Sequence, residues 1–199
     1  MSKSKTITAD PPEVSQLFDA IADQYSTASG FSGAVVRCVA ARYAGKNDFY
    51  SGAGAAKSGG RWNRKCIEAV YASLDIETAN KEAFQDLIYR GIPLSAMMPR
   101  VTAAAQVNLS RVCDLTQGSV RRSIGFTRQQ LISEDWRALQ KAGVESWTQA
   151  IGRGCYLAGF EAMIVPSARR KQGKNIVLFP SKFAKTVKIM ILGAEHLPK

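Results

Sequence analysis

The sequence predicts an α+β fold: a single domain with a mixed or antiparallel sheet core and flanking helices. Short strand-like apolar runs come in groups between helical stretches, without the regular alternation of a parallel α/β protein. No GxGxxG opens a helix, which argues against a doubly wound dinucleotide fold. Of the 199 residues 46% are hydrophobic, enough for one sizeable core.

Asp10, Pro11 and Pro12 form a helix start. Val14, Leu17, Phe18, Ile21, Ala22 and Tyr25 then recur at helical spacing and predict a packing helix. Residues 1–30 are read as a tail plus this helix, and 31–199 as the domain proper. Ala34 to Ala40 is a buried strand, Ser51 to Gly60 a Gly/Ala/Ser loop, and Glu68 to Ser73 a second strand. Asp75 caps a helix from Ile76 to Tyr89, which Gly91 and Pro93 end. Its buried stripe is Ile76, Ala79, Ala83 and Leu87, with Glu82 on the margin. Val101 to Leu109 is a strand. Thr116 to Phe160 is mostly helical, with Trp136, Leu139, Trp147, Ile151, Cys155 and Leu157 as core contacts. Two further strands, in Glu161–Ser167 and Asn175–Pro180, flank a basic loop from Ala168 to Lys174. Thr186 to Leu192 is the last strand.

The net charge of +11 selects for anionic partners: nucleotide, nucleic acid or an acidic protein surface. No apolar run is long enough for a transmembrane helix. The first residues lack the apolar core of a secretory signal. Cys38, Cys66, Cys113 and Cys155 form no CxxC pair, and His196 is the only histidine, so neither a zinc site nor a Ser-His-Asp triad is expected. Cys38 sits in an apolar run, as buried free thiols do. The cysteine pattern fits a reducing cytoplasm.

Chemistry concentrates in a few polar residues. Arg61 follows Gly59 and Gly60, which allow close backbone approach; its guanidinium suits a phosphate or a structural carboxylate. Arg37 interrupts an apolar strand and needs a partner, a ligand or an outward face. Tyr71 can stack on a heterocycle or fill the core. Glu82 can support a developing cation or remain a solvated helix residue. Ser167 ends a strand before Arg169, Arg170 and Lys171, where a hydroxyl and loop amides can hold a phosphate. The Gly118–Ser123 segment, GSVRRS, adds a second basic cluster, read as surface or partner contact.

Taken together, VVRCVAARY, SGAGAAKSGGRWN, YASLDIETANKE and VPSARRKQGKNIVLFP resemble the RES domain, named for its arginine, glutamate and serine. The resemblance covers roughly Gly33 to Leu192. It maps the arginine to Arg61, the glutamate to Glu82 and the serine to Ser167, with Arg37, Tyr71 and Asn175 at further site positions. The chain departs from the pattern around Cys66, where a glycine often follows the RWN element. It departs again at Asn80-Lys81, which replace a more usual apolar pair.

The resemblance implies a fold like that of ADP-ribosyltransferase toxins and a cytoplasmic enzyme that degrades NAD+ by hydrolysis or phosphorolysis. NAD+ is the substrate and inorganic phosphate a possible co-substrate, with no bound cofactor. It implies a toxin of a type II toxin–antitoxin module, whose partner is a helix-turn-helix antitoxin of the Xre type, with DNA contacted only through that partner. In this reading Arg61, helped by Arg37, holds the pyrophosphate; Tyr71 stacks near nicotinamide. Glu82 stabilises an oxocarbenium-like transition state, and Ser167 helps hold a phosphate. Two other functions fit the sequence: an ADP-ribosyltransferase acting on a macromolecule, and a non-enzymatic basic nucleic-acid-binding protein.

Overall fold

A computed structural model describes residues 12–45, 47–89 and 91–197, in which α1 (Pro12–Asp23) is followed by β1 (Ser29–Ala40). There follow α2 (Ala53–Ser58), β2 (Val70–Ser73), α3 (Ile76–Tyr89), α4 (Leu94–Met97) and β3 (Arg100–Asp114). Four helices come next: α5 (Gly118–Ser123), α6 (Arg128–Ser133), α7 (Trp136–Lys141) and α8 (Trp147–Ala158). The chain closes with β4 (Ala162–Pro166), β5 (Lys174–Leu178) and β6 (Met190–Ile191). The predicted start of α1 at Asp10 and Pro11, and the side chain of Leu87, lie outside the described residues.

The strands pair in the order β1-β2-β5-β4-β3-β6, and β1 also pairs β3. The first five therefore form a closed circuit. The β3–β4 pairing is parallel and the others are antiparallel, as a mixed sheet requires. Closure is uneven. β1 runs along β3 from Ser29 to Ala40, yet meets β2 at a single register pair, Val36 opposite Ser73. That opening positions the site.

One apolar face of the sheet (Met163, Val165, Val177) packs on Leu17 and Ile21 of α1 and on Ile151 and Cys155 of α8. The other face carries Val35, Val70, Val107, Ile176 and Leu178, covered by Phe49 and Tyr50 and by partly buried Phe183, Val187 and Ile189. Val36 and Cys38 alternate with these and face α3, because strand side chains have period two.

Helix ends follow local chemistry. Asp75 Oδ1 accepts from the Thr78 amide, capping α3 as predicted. Thr127 and Ser146 each build a capping box, at α6 and α8. Among the described residues no helix is long and apolar enough to cross a membrane.

Several expectations are corrected. Part of the Gly/Ala/Ser loop is helical, because Ala-rich residues 53–58 favour α2 between Gly52 and Gly59, both at positive φ. The last strand shrinks to Met190–Ile191: Val187 and Ile189 bury their side chains against the sheet face instead of extending the ladder. Ile76, Trp147 and Leu157 are exposed, since α3 and α8 turn Ala79, Ile151 and Cys155 inward. Ala22 is exposed on the outer side of α1, and Cys38 is only half-buried. Cys66 has φ 72°, the left-handed region that favours glycine, at the place where the resembled pattern often has one.

Gly152 of α8 lies against the Trp62 backbone, and a Cβ there would overlap the Trp62 carbonyl. Gly152→Ala is expected to lower stability by about 3 kcal/mol, read by urea denaturation, since neither backbone can easily retreat. A loss below about 0.5 kcal/mol would show that the helix and loop can separate.

Candidate active site

A cleft of about 380 Å³ opens where β1 parts from β2. The β1 edge, β2, α3, α7 and the Gly59–Trp62 loop line it. Ala79 and Ala83 of α3 lie on its wall, and their small side chains keep the helix from filling the space.

Glu82 is the one carboxylate on that wall among the described residues. Ser167 Oγ donates to its Oε1 at 2.6 Å, and Asn175 Nδ2 donates to the same oxygen at 2.7 Å. The second carboxylate oxygen takes no part in this pair. Asn175 is itself aimed by Ser73, whose hydroxyl donates to Asn175 Oδ1 at 2.7 Å. Ser167 is 1% exposed, and its Oγ also accepts from the Arg169 and Arg170 amides at 3.0 Å each. Its hydroxyl is thus committed to fixing Glu82 and the turn that follows.

Arg61 lies half-buried on the cleft wall. One of its nitrogens, Nη1, donates to the carbonyls of Leu131 and Glu134, both at 3.1 Å. Burial lowers the guanidinium pKa; the charges of Glu134 and Glu82 raise it, while Arg137 and Arg169 lower it. Arg61, Glu82, Arg137 and Arg169 therefore share one electrostatic neighbourhood.

Tyr71 does a different job from the one its strand position suggested. Its hydroxyl donates to Asn63 Oδ1 at 2.7 Å and accepts from the Trp62 amide at 2.9 Å. Burial raises the phenol pKa, keeping it a neutral donor. Asn63, fully buried, donates in turn to the carbonyls of Ala55, Arg64 and Ile67. Any side chain at Gly60 would collide with the Tyr71 phenol. The ring of Tyr71 lines the cleft while its hydroxyl anchors the Gly-Gly-Arg-Trp-Asn loop.

Arg37 lies along the β1 edge of the cleft, but its guanidinium donates to the Phe49 carbonyl and lies over the Phe49 ring. Burial lowers its pKa, an effect that Tyr50 partly opposes. The structure thus gathers Arg61, Tyr71, Glu82, Ser167 and Asn175, while the head of Arg37 is held by the Phe49–Tyr50 segment.

Trp136, Arg137 and Arg100 are wall residues that were not foreseen as site residues. Trp136, expected only in the core, opens α7 and reaches the cleft, with the Arg137 guanidinium 4.3 Å from its ring centroid. Arg100 stands at the start of β3. A Trp-Arg pair just after a capping Asp135 was a weak signal for the first two; the sequence around Arg100 carried none.

A scan against protein-family models matches the RES domain over residues 34–198. The chain belongs to the RES domain family. Its fold is similar to that of a chain in the crystal structure of the M. tuberculosis MbcT–MbcA toxin–antitoxin complex. The TM-score is 0.67 at 19% identity, covering 90% of this chain and 93% of that one. No curated protein matches the sequence. Glu82 and Ser167, which the sequence resemblance singled out, are in direct contact across 85 residues of chain.

Tyr71→Phe strands the buried Asn63 carbonyl oxygen and the Trp62 amide. It is expected to cost about 2 kcal/mol by thermal or urea unfolding. A neutral Tyr71→Phe would show that the loop does not depend on this phenol.

Proposed function

We propose that this RES domain is an NAD+-degrading enzyme that cleaves the nicotinamide–ribose bond, and that it serves as the toxin of a toxin–antitoxin pair. The observation that carries the reading is Glu82, a single carboxylate aimed by Ser167 and Asn175 into a cleft otherwise rich in arginine. Family membership and the toxin–antitoxin setting of the fold neighbour support it.

Nicotinamide is already a cationic leaving group and departs neutral, so the reaction needs no general acid. Its demand is stabilisation of positive charge at the anomeric carbon. Glu82 meets that demand, accepting a hydrogen bond from the nicotinamide ribose and opposing the oxocarbenium charge. Ser167 acts through Glu82 and not on a phosphate, because its hydroxyl has no bond left to give. Arg61, Arg137 and Arg169 supply the anion-binding field beside Glu82. The rings of Tyr71 and Trp136 offer flat apolar wall to the heterocycles.

The charge balance favours phosphate over water as acceptor. Arg37 turns its head to the Phe49 carbonyl, which leaves Arg61, Arg100, Arg137 and Arg169 on a cleft wall whose one carboxylate among the described residues is Glu82. An incoming phosphate dianion suits such an arginine-lined wall as a second anion beside the pyrophosphate of NAD+. The partner is an antitoxin of the Xre type that shields the cleft in a cytoplasmic complex.

The test is to incubate purified protein with NAD+, with and without inorganic phosphate, and resolve products by chromatography and mass. Nicotinamide plus phosphorylated ADP-ribose, formed only with phosphate, is expected. Free ADP-ribose would make it a hydrolase, and labelled ADP-ribose on a macromolecule would make it a transferase. Intact NAD+ from folded protein would remove the reading.

Glu82→Gln is expected to lower kcat by about 10²–10³ in protein of unchanged fold. Ser167→Ala should lower kcat by about tenfold with little change in KM, since it loosens the carboxylate without touching substrate. A full-rate Glu82→Gln enzyme would move the chemistry elsewhere.

A further inference from the structure

Arg100 stands on a different wall of the cleft from Arg61. It opens β3, opposite Ala40 of β1. Its Nε donates to Cys38 Sγ at 3.3 Å and its Nη2 to the Cys38 carbonyl at 3.0 Å, while the guanidinium lies 5.5 Å from the centroid of the Phe84 ring. These partners orient the fork but carry no charge. Among the described residues no carboxylate pairs with Arg100, although it lines the cleft. Arg100 is held by Cys38 and Phe84 at the β1–β3 end of the cleft, whereas Arg61 is held by the carbonyls of Leu131 and Glu134. Asn80 and Phe84 of α3 face β3 and Arg100, whereas Glu82, on the helix's other flank, faces Ser167 and Asn175.

We propose that Arg100 is the residue that reads the adenylate half of the dinucleotide, binding its adenosine-side phosphate at the β1–β3 end of the cleft. The proposal rests on NAD+ as substrate. An elongated dinucleotide with its nicotinamide ribose at Glu82 must extend its second phosphate away from the reacting centre. An oriented guanidinium without a carboxylate is the group that a phosphate monoanion satisfies. Arg61 and its neighbours then serve the reacting end, and Arg100 confers preference for a dinucleotide over a mononucleotide.

The first arm compares kcat/KM for NAD+ and for nicotinamide mononucleotide, which lacks the adenylate half, in wild type and Arg100→Gln. A loss of tenfold or more on NAD+ alone is expected, from a higher KM, because one charge-assisted hydrogen bond is removed. Arg100→Lys should recover part of it. Equal losses on both substrates, or none on either, would overturn the assignment.

The second arm needs no turnover. Cys38 touches Arg100 and lines the cleft, so occupancy of Arg100 should shield its thiol. In a Cys66→Ser background, which removes the exposed thiol, ADP-ribose should slow alkylation of Cys38 by iodoacetamide in the Arg100 protein and not in Arg100→Gln. Protection without NAD+ turnover would keep Arg100 as a binding residue while removing the proposed reaction. Unprotected Cys38 at saturating ADP-ribose in the Arg100 protein would overturn the proposal itself.

Discussion

One oxygen, Oε1 of Glu82, joins α3 to the end of β4 through Ser167 and to β5 through Asn175. The join works because of register. Asn175 sits opposite Ser73 on one side and Val165 on the other, so the same face of the sheet delivers both the asparagine and the hydroxyl that aims it. A one-residue slip of β5 would turn Asn175 to the opposite face and break the arrangement. A carboxylate held by two donors has little freedom to follow a substrate. In the proposed reaction that restraint suits electrostatic stabilisation of a developing cation.

The loop opposite Glu82 is held with equal economy of parts. Tyr71 anchors it from the strand through Asn63 and the Trp62 amide. Gln149 of α8, 2% exposed, donates to the Gly60 carbonyl, and Gln140 of α7 donates to the Ser58 carbonyl. Arg61 completes the frame by bonding two carbonyls at the C-terminal end of α6 and beyond it. Buried polar groups are costly unless paired, and among the described residues no buried side-chain polar atom lacks a partner. The polar residues of the loop therefore stabilise its shape before they contact any ligand. Substitutions there will mix effects on folding with effects on catalysis, whereas Glu82 and Arg100 are better placed to separate them.

Much of this was legible in the sequence. The α+β class, the Asp75 cap of α3 and the β4–β5 hairpin followed from periodicity and capping residues, and the resemblance to RES domains singled out Arg61, Glu82 and Ser167, of which Glu82 and Ser167 prove to be in contact. What was not legible depends on contacts across long sequence separations. Whether the Ser167 hydroxyl meets a ligand or Glu82 is decided 85 residues away. The lone arginine in β1 had a ligand reading and a structural one; the Phe49 carbonyl engages it structurally. Trp136 looked like core because half of its role is core: it is 9% exposed and yet borders the cleft. Edge pairing of the last strand failed for a similar reason. Alternation predicts extended backbone, but Val187 and Ile189 pack on the sheet face, and only Met190 and Ile191 pair with β3, at Gln106 and Ala105.

The cleft itself follows from how the sheet closes. β3 is long enough to hold β1 along most of its length and still reach β4 with its last residues. β1 holds β3 along one edge, and its other edge meets β2 only at Val36. The backbone edge that remains from Arg37 to Val39 would ordinarily be an unpaired liability. Here it becomes a wall, and the small residues of α3 keep the opposite side clear. A concave, partly dehydrated space strengthens the field of the arginines that border it. On the proposed reading the ligand is an anion with more than one phosphate, and the spread of the arginines from Arg169 to Arg100 gives it a direction to lie in.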